Sequence, residues 1–147
     1  MRLSLLAAVI VLSSNLASAG SETATTLVNQ KLVQPLIAKE SNQGKFSRAR
    51  PVPAERRVRV VDDKAQTDAS GNAFFTFAID ERHGWSDDKD ESSWNKATMT
   101  GCVYVDRKEV FIKRGSAFHP AAAAVGKKTK AAPATTCQAA AAVSARS

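Results

Sequence analysis

The sequence predicts a small α+β domain, in which an antiparallel β-sheet of about four strands carries one N-terminal helix and a single disulfide. Three observations support this fold class. Apolar residues recur at helical spacing between residues 27 and 37. Alternating apolar and polar residues, which are typical of strands, follow between residues 58 and 118. The chain contains two cysteines, enough for one bridge.

Residues 1–19 have the three-part pattern of a cleavable secretory signal. Arg2 precedes an apolar run of about ten residues, and a polar stretch then ends in Ala17-Ser18-Ala19. A membrane-spanning helix needs about 20 apolar residues, so this run is too short to be an anchor. We expect cleavage after Ala19 and export. The Ala-rich signal and the lack of an Asn-x-Ser/Thr site favour a bacterial periplasmic or secreted protein.

The predicted organisation has four parts. A signal peptide covers residues 1–19, and a helix with a basic, proline-containing linker covers residues 20–57. A β-rich core follows over residues 58–119, where most of the large apolar residues after the signal are found. An Ala- and Lys-rich segment covers residues 120–147, and a disulfide is expected to tether it to the core.

The helix is expected to begin at Ser21, an N-cap residue, with Glu22 in its first turn. Pro35 interrupts the apolar pattern because proline lacks a backbone N–H and collides with the preceding turn. The helix should therefore end or kink near Gln34. Its wide apolar stripe must pack against another element, most simply the β core.

Four strands are predicted, at residues 57–61, 73–79, 98–105 and 110–113. In the second of them, Phe75, Phe77 and Ile79 share one face because side chains alternate along a strand.

The last two predicted strands form the clearest hairpin. Its predicted register pairs Val105 with Val110 and Val103 with Ile112, which matches apolar residues across the strands. The same register sets two carboxylates opposite each other in the turn at residues 106–109. Because that contact is unfavourable, a longer loop at the tip is the alternative.

Cys102 and Cys137 are the only cysteines, and an oxidising compartment would join them in one disulfide. They lack the close Cys-x-x-Cys spacing of zinc sites. The acidic loop at residues 87–93 also lacks the glycine and the final glutamate of an EF-hand calcium loop. We therefore predict neither a metal site nor a cofactor.

Charge is segregated along the chain. Residues 31–59 carry eight basic and two acidic residues, residues 60–106 four basic and ten acidic, and residues 107–147 eight basic and one acidic. Two interpretations stay open. The segments neutralise one another within the domain, which is the commoner arrangement, or the basic residues form one face that attracts an anionic polymer. The members of that basic face would be Arg56, Arg57, Arg59, Arg107, Lys108, Lys113, Arg114, Lys127, Lys128 and Lys130.

Catalysis has little support in the sequence. G-x-S-x-G, H-E-x-x-H and C-x-x-C are all absent, and the only histidines are His83 and His119. Ser116 lies three residues before His119, but no acid or oxyanion donor is placed by the sequence. Trp85 and Trp94 flank the acidic loop, and exposed tryptophans are typical of protein-binding hot spots.

Three functions are therefore considered. The first is a small, exported, non-catalytic binding module for an anionic envelope or extracellular partner. The second is a protein-binding module, such as an inhibitor of a secreted or envelope enzyme, that acts through Trp85 and Trp94. The third is a hydrolase that uses His83 or His119.

Overall fold

The structure is a computed structural model, and it describes residues 15–43, 55–83 and 90–141. The helical part consists of α1 (Asn15–Val28), a π-helical turn (Asn29–Val33) and α2 (Gln34–Gln43). The strands are β1 (Glu55–Val60), β2 (Gln66–Thr67), β3 (Ala73–Arg82), β4 (Asn95–Tyr104), β5 (Glu109–Arg114) and β6 (Ala117–Pro120). Short 3₁₀ helices lie at Glu91–Ser93 and Ala121–Val125. The predicted α+β class is confirmed.

The sheet is antiparallel throughout, in the order β1-β3-β4-β5-β6, and β2 also pairs with β3. The described residues thus contain six strands rather than about four. The two that the sequence did not indicate are β2, with two residues, and β6, with four. Such short segments leave little room for an alternating pattern. Pro120 is tolerated in β6 because an edge strand needs no second partner for its backbone.

The helix does not end near Gln34 but continues through Pro35 to Gln43. The N–H of Gln34 donates to the carbonyl of Asn29, five residues earlier, so the turn before the proline is wider than a regular α-helical turn. This widening accommodates the proline ring. Ser21 is not an N-cap either, because it lies inside α1 and its carbonyl accepts a hydrogen bond from Thr25 Oγ1. Within the described ranges, no helix is both long and apolar enough to cross a membrane.

The β4–β5 hairpin has the longer loop. Val103 pairs with Val110 and Gly101 with Ile112, so the predicted pairing of Val105 with Val110 is wrong by two residues. The wider loop takes the two carboxylates out of direct opposition. A shift of two residues keeps every side chain on its predicted face, because side chains alternate with a period of two.

The helical layer packs on one face of the sheet. Val28 and Leu32 are fully buried against Phe75, Phe77 and Ile79 of β3. The predicted shared face of these three β3 residues is thus the helix-packing face. Burial of this apolar surface is the main source of stability for the helix, as for most helices in small domains.

The C-terminal segment covers the opposite face. Phe74, Tyr104 and Phe111 form a second apolar cluster with Cys102, and the chain around Cys137 packs on it. The disulfide between Cys102 and Cys137 is present, with 6.2 Å between the two Cα atoms. The fold therefore has three layers: helix, sheet and C-terminal segment.

A buried hydrogen-bond network reinforces this third layer. The Tyr104 hydroxyl donates to Asp68 Oδ2 at 2.8 Å and accepts from the Cys137 N–H at 2.9 Å. Asp68 Oδ1 accepts the N–H groups of Ser70 and Asn72, each at 2.9 Å. The hydrogen bonds from Asn72 and Tyr104 lower the pKa of Asp68. The carboxylate thus joins the β2–β3 loop to the C-terminal segment through one tyrosine.

Gly101 allows the central strands to pack closely, so its replacement by a larger residue should destabilise the fold. A Cβ placed on Gly101 would lie 2.0 Å from the Phe111 carbonyl oxygen and 2.7 Å from Cζ of Phe77. Because β4 is paired on both sides, the backbone has little freedom to move away. We expect Gly101→Ala to lower the free energy of unfolding by about 1–3 kcal/mol, measured by urea denaturation.

A matched control for this substitution is Thr100→Ala, at the neighbouring position on β4. Its side chain is partly exposed, so the loss should stay below about 1 kcal/mol. Equal stability of Gly101→Ala and the wild-type chain would show that the Phe111 carbonyl and the Phe77 ring relax without strain.

Candidate functional site

A buried carboxylate organises the arginines at the β1 edge of the sheet. Asp80 of β3 is fully buried and accepts hydrogen bonds from Arg57 Nε at 2.9 Å and Arg59 Nη2 at 3.2 Å. Arg59 Nε donates to Asp80 as well, at 3.2 Å, and the N–H of Ala97 adds a fourth donor at 2.8 Å. Arg57 and Arg59 alternate on the same face of β1, and Arg57 lies directly opposite Asp80 in the sheet. The Arg59 guanidinium is the main cause that holds the pKa of Asp80 well below its usual range.

The charges of this cluster are matched by further carboxylates. Arg57 also donates to both oxygens of Glu91, and Lys96 pairs with the same carboxylate. These contacts, that of Arg57 first, lower the pKa of Glu91 to about 2. Arg82 pairs with Glu55 on the adjacent strand. The β1 edge is therefore rich in arginine but close to electrically balanced.

Trp94 belongs to this arginine cluster. The guanidinium carbons of Arg57 and Arg82 lie 4.4 and 4.7 Å from the centroid of its ring. Such cation–π contacts hold the half-buried indole against the sheet. Trp85, the other predicted contact residue, lies outside the described residues. The ring of Trp94 is thus already engaged within the chain.

Arg56 has a structural position on the helix-packing face. Its side chain is 6 % exposed and donates to Glu40 of α2 at 2.8 Å and to Glu81 of β3 at 3.1 Å. It therefore joins α2 to the sheet, and a partner has no access to its guanidinium.

Two further arginines of the predicted basic face also have partners. Arg107 pairs with Glu109 and lies over the Tyr104 ring at 4.7 Å. Arg114 donates to the carbonyl oxygen of Ala123 at 2.7 Å, at the end of the 3₁₀ helix Ala121–Val125. Hydrogen bonding to this carbonyl stabilises the helix end.

Seven lysines lie around β6 and the 3₁₀ helix Ala121–Val125, at the sheet edge opposite β1. Over residues 15–43, 55–83 and 90–141, none of them forms an ion pair with a carboxylate. We call this surface the lysine edge. Its members are Lys31, Lys39, Lys108, Lys113, Lys127, Lys128 and Lys130.

Contacts between distant parts of the chain bring these lysines together. Lys31 and Lys108 border one cavity. The ammonium nitrogen of Lys39 lies 3.6 Å from a Cβ placed on Gly126, the residue before Lys127 and Lys128. The π-turn and α2 both contact the 3₁₀ helix, which explains why the helical lysines reach this edge.

The remaining lysines are positioned by β5 and β6. Lys113 lies opposite Phe118 in the sheet, and the carbonyl of Phe118 accepts the N–H of Ala132 at 2.8 Å. That bond holds the segment of Lys130 beside β6. Uncompensated cations gathered on one surface create a positive potential that attracts anions.

The structure does not bring the ten predicted basic residues together. Three arginines lie at the β1 edge or on the helix face, whereas the five predicted lysines lie on the lysine edge. Sequence reasoning missed Lys31, which shares a cavity with Lys108, and Lys39, which lies near Gly126, because a linear charge pattern does not reveal either contact. It also missed Asp80, because a single aspartate in a strand carries no sign of its two arginine partners.

The two histidines, each considered alone as a hydrolase residue, lie far apart. His83 follows β3 and His119 lies in β6, and β4 and β5 separate those strands. At the usual strand spacing this is roughly 14 Å across the sheet. In the part of the chain that the structure describes, no group of three or more His, Cys, Asp or Glu side chains is placed to hold a metal ion.

The chain was compared with protein-family models, with curated proteins and with solved structures. It matches no family model, no curated protein and no solved structure.

Proposed function

We propose that the chain is an exported, non-catalytic binding protein that holds an anionic polymer of the cell envelope or the extracellular medium against its lysine edge. The observation that carries the proposal is the separation of the cations. Arginines at the β1 edge are neutralised by carboxylates, whereas the seven lysines around β6 have no carboxylate partner among the described residues. The signal pattern at residues 1–19 and the disulfide support export.

The side-chain chemistry favours a polymer that is recognised by charge. Lysine is a hydrated point charge on a flexible stem, so it follows a charged chain without the fixed geometry of a bidentate arginine site. Single-stranded nucleic acid is usually held by stacking on exposed aromatic rings. In the described residues, the exposed large hydrophobic side chains are Ile37 and Val61, and neither is aromatic. An acidic polysaccharide therefore fits better than a nucleic acid.

Two charge-matched double variants test the lysine edge. Lys127 and Lys128 are replaced by glutamine in one, and Lys64 of the β1–β2 connection and Lys96 at the start of β4, both exposed and outside the lysine edge, in the other. At roughly 1 kcal/mol per lysine near an anionic surface, the first variant should lose about thirtyfold in affinity for an acidic polysaccharide. The second should bind within a few-fold of the wild-type chain.

The measurement is retention of the disulfide-intact chain on an immobilised acidic polysaccharide, eluted with a salt gradient. Equal loss in both variants would show that net charge alone causes binding and would contradict a role for the lysine edge. Retention that is insensitive to 0.5 M salt, where the Debye length is about 4 Å, would also contradict it.

A protein-binding module has weaker support, because the ring of Trp94 is engaged by Arg57 and Arg82. Capture of one protein from the extracytoplasmic fraction at high salt, lost on replacing Trp85 and Trp94 by alanine, would replace the polymer proposal by this one. The hydrolase alternative would need activity that His83→Ala or His119→Ala abolishes.

A further inference from the structure

A cavity of about 410 Å³ opens on the lysine edge where β6 leaves the sheet. The β5–β6 pairing stops at Phe111 and Pro120, so within the described ranges the first residues of β5 have no strand neighbour on that side. The chain then turns into the 3₁₀ helix Ala121–Val125, whose sequence is Ala-Ala-Ala-Ala-Val. Because alanines are small, they leave the space beside β5 unfilled.

The cavity combines an apolar lining with two cations. Val110, Phe111 and Ala121 contribute buried apolar surface. Lys31 from the π-turn and Lys108 from the hairpin loop are exposed and border the same space. The carboxylate of Glu109, which also lines it, is paired with Arg107. The two lysines therefore face an apolar space without a carboxylate that neutralises them in the described residues.

Lys108 adopts a positive φ of 53° at the end of its loop. Its N–H donates to the Val105 carbonyl at 3.2 Å, which closes the turn. Residues other than glycine, asparagine and aspartate seldom adopt this conformation. The loop thus keeps a lysine at a position where asparagine would fit the backbone better.

We infer that this cavity binds a single-chain amphiphilic anion, namely an aliphatic carboxylate whose chain lies on the apolar lining and whose head group contacts Lys31 and Lys108. Its volume lies at the lower end of the roughly 300–1,000 Å³ that small-molecule sites occupy, which suits one short acyl chain. The inference rests on the proposed function, because both lysines belong to the lysine edge. It adds a small-molecule site to what is otherwise a surface for polymers.

The experiment uses octanoate as the probe, with octan-1-ol as the uncharged analogue and acetate as the head group without a chain. Binding to the disulfide-intact chain is followed by methyl chemical shifts in NMR. We expect saturable shifts for Val110, Ala121 and Ala122 with octanoate, with a Kd on the order of 0.1–1 mM. Acetate and octanol should each bind about fivefold more weakly or worse, because acetate lacks the aliphatic chain and octanol lacks the negative charge.

Three variants separate the chain pocket from the head-group contacts. Ala122→Leu places a larger side chain in the cavity and should abolish octanoate shifts. Lys31→Gln and Lys108→Asn should each weaken octanoate about threefold to fivefold, the value of one exposed charge pair. Asparagine is chosen because it keeps the left-handed turn. Lys64→Gln, an exposed lysine of the β1–β2 connection, is the control and should bind like wild type.

Each result has one meaning. No saturable shift at the lining methyls, or unchanged octanoate binding in Ala122→Leu, overturns the cavity assignment. Equal binding of octanol and octanoate overturns the role of the lysines. Polysaccharide retention is measured on the same Ala122→Leu protein and should stay unchanged. If Ala122→Leu loses octanoate binding but keeps polysaccharide retention, the cavity is separate from the polymer surface. If the wild-type chain binds octanoate but is not retained on the polysaccharide, only the proposed function is refuted.

Discussion

Replacing Arg57 and Arg59 together by glutamine should lower the free energy of unfolding by about 3–5 kcal/mol. Asp80 is fully buried, and these arginines supply most of its hydrogen bonds. Without them, the carboxylate keeps only the N–H of Ala97 among its present donors, and a buried charge that loses its partners is costly. Urea denaturation at neutral pH measures the loss.

Asp80→Asn is the matched control, and it should lower the free energy of unfolding by less than the arginine double substitution does. The arginine side chains that it leaves without a partner are 31 % and 43 % exposed, so water can solvate them. A variant that combines Asp80→Asn with both arginine substitutions should recover much of the stability that the arginine double variant loses, because no buried charge is left. Equal losses in the arginine variant and in Asp80→Asn would contradict this asymmetry.

The pH dependence of stability gives a second readout of the same cluster. Since Arg59 and its neighbours lower the pKa of Asp80, and Arg57 lowers that of Glu91 to about 2, both carboxylates stabilise the fold above their unfolded pKa values. This contribution is lost as the pH falls from about 4 towards the folded pKa values. In the arginine variant, burial instead favours the neutral form of Asp80, so acidification should destabilise it less than wild type. A parallel acid response in both chains would show that the cluster does not cause it.

Removing the disulfide by the double substitution Cys102→Ala and Cys137→Ala should cost about 3–4 kcal/mol, the chain-entropy value for a loop of this length. The two cysteines lie 35 residues apart in the sequence, and Cys102 is fully buried. The substitution should also release the C-terminal segment from the apolar cluster that it covers. Thermal or urea denaturation measures the stability, and trypsin cleavage at Lys127, Lys128 and Lys130 reports the release.

Tyr104→Phe is the control that keeps the disulfide but removes the hydroxyl between Asp68 and Cys137. It should lower the free energy of unfolding by about 1–3 kcal/mol, because the buried Asp68 carboxylate and the half-buried Cys137 N–H each lose a partner, and the segment should stay resistant to trypsin. If the cysteine variant remains resistant and Tyr104→Phe becomes sensitive, the hydrogen-bond network rather than the disulfide holds the segment.

The helix and the main strands of the core could be predicted from local sequence patterns. Phe75, Phe77 and Ile79 share a face because alternation is a property of any extended strand, and the structure places that face under the helix. Of the two outcomes predicted near Gln34, the helix does not end there, and the irregularity before Pro35 is a π-turn, whose geometry no residue count reveals. The hairpin register was wrong by two residues because apolar matching tolerates a shift that preserves the faces.

The sequence by itself determined the α+β class, the shared face of Phe75, Phe77 and Ile79, and the pairing of the only two cysteines, since each follows from local periodicity, local alternation or a count. It also determined the excess of positive charge at the C-terminal end. Only the tertiary structure decided which cations are neutralised. Arg57 and Arg59 meet Asp80 through strand pairing, and Lys31 and Lys108 border one cavity because the helical part packs beside the hairpin. Electrostatic interactions depend on distance in space, and a linear sequence does not contain that distance.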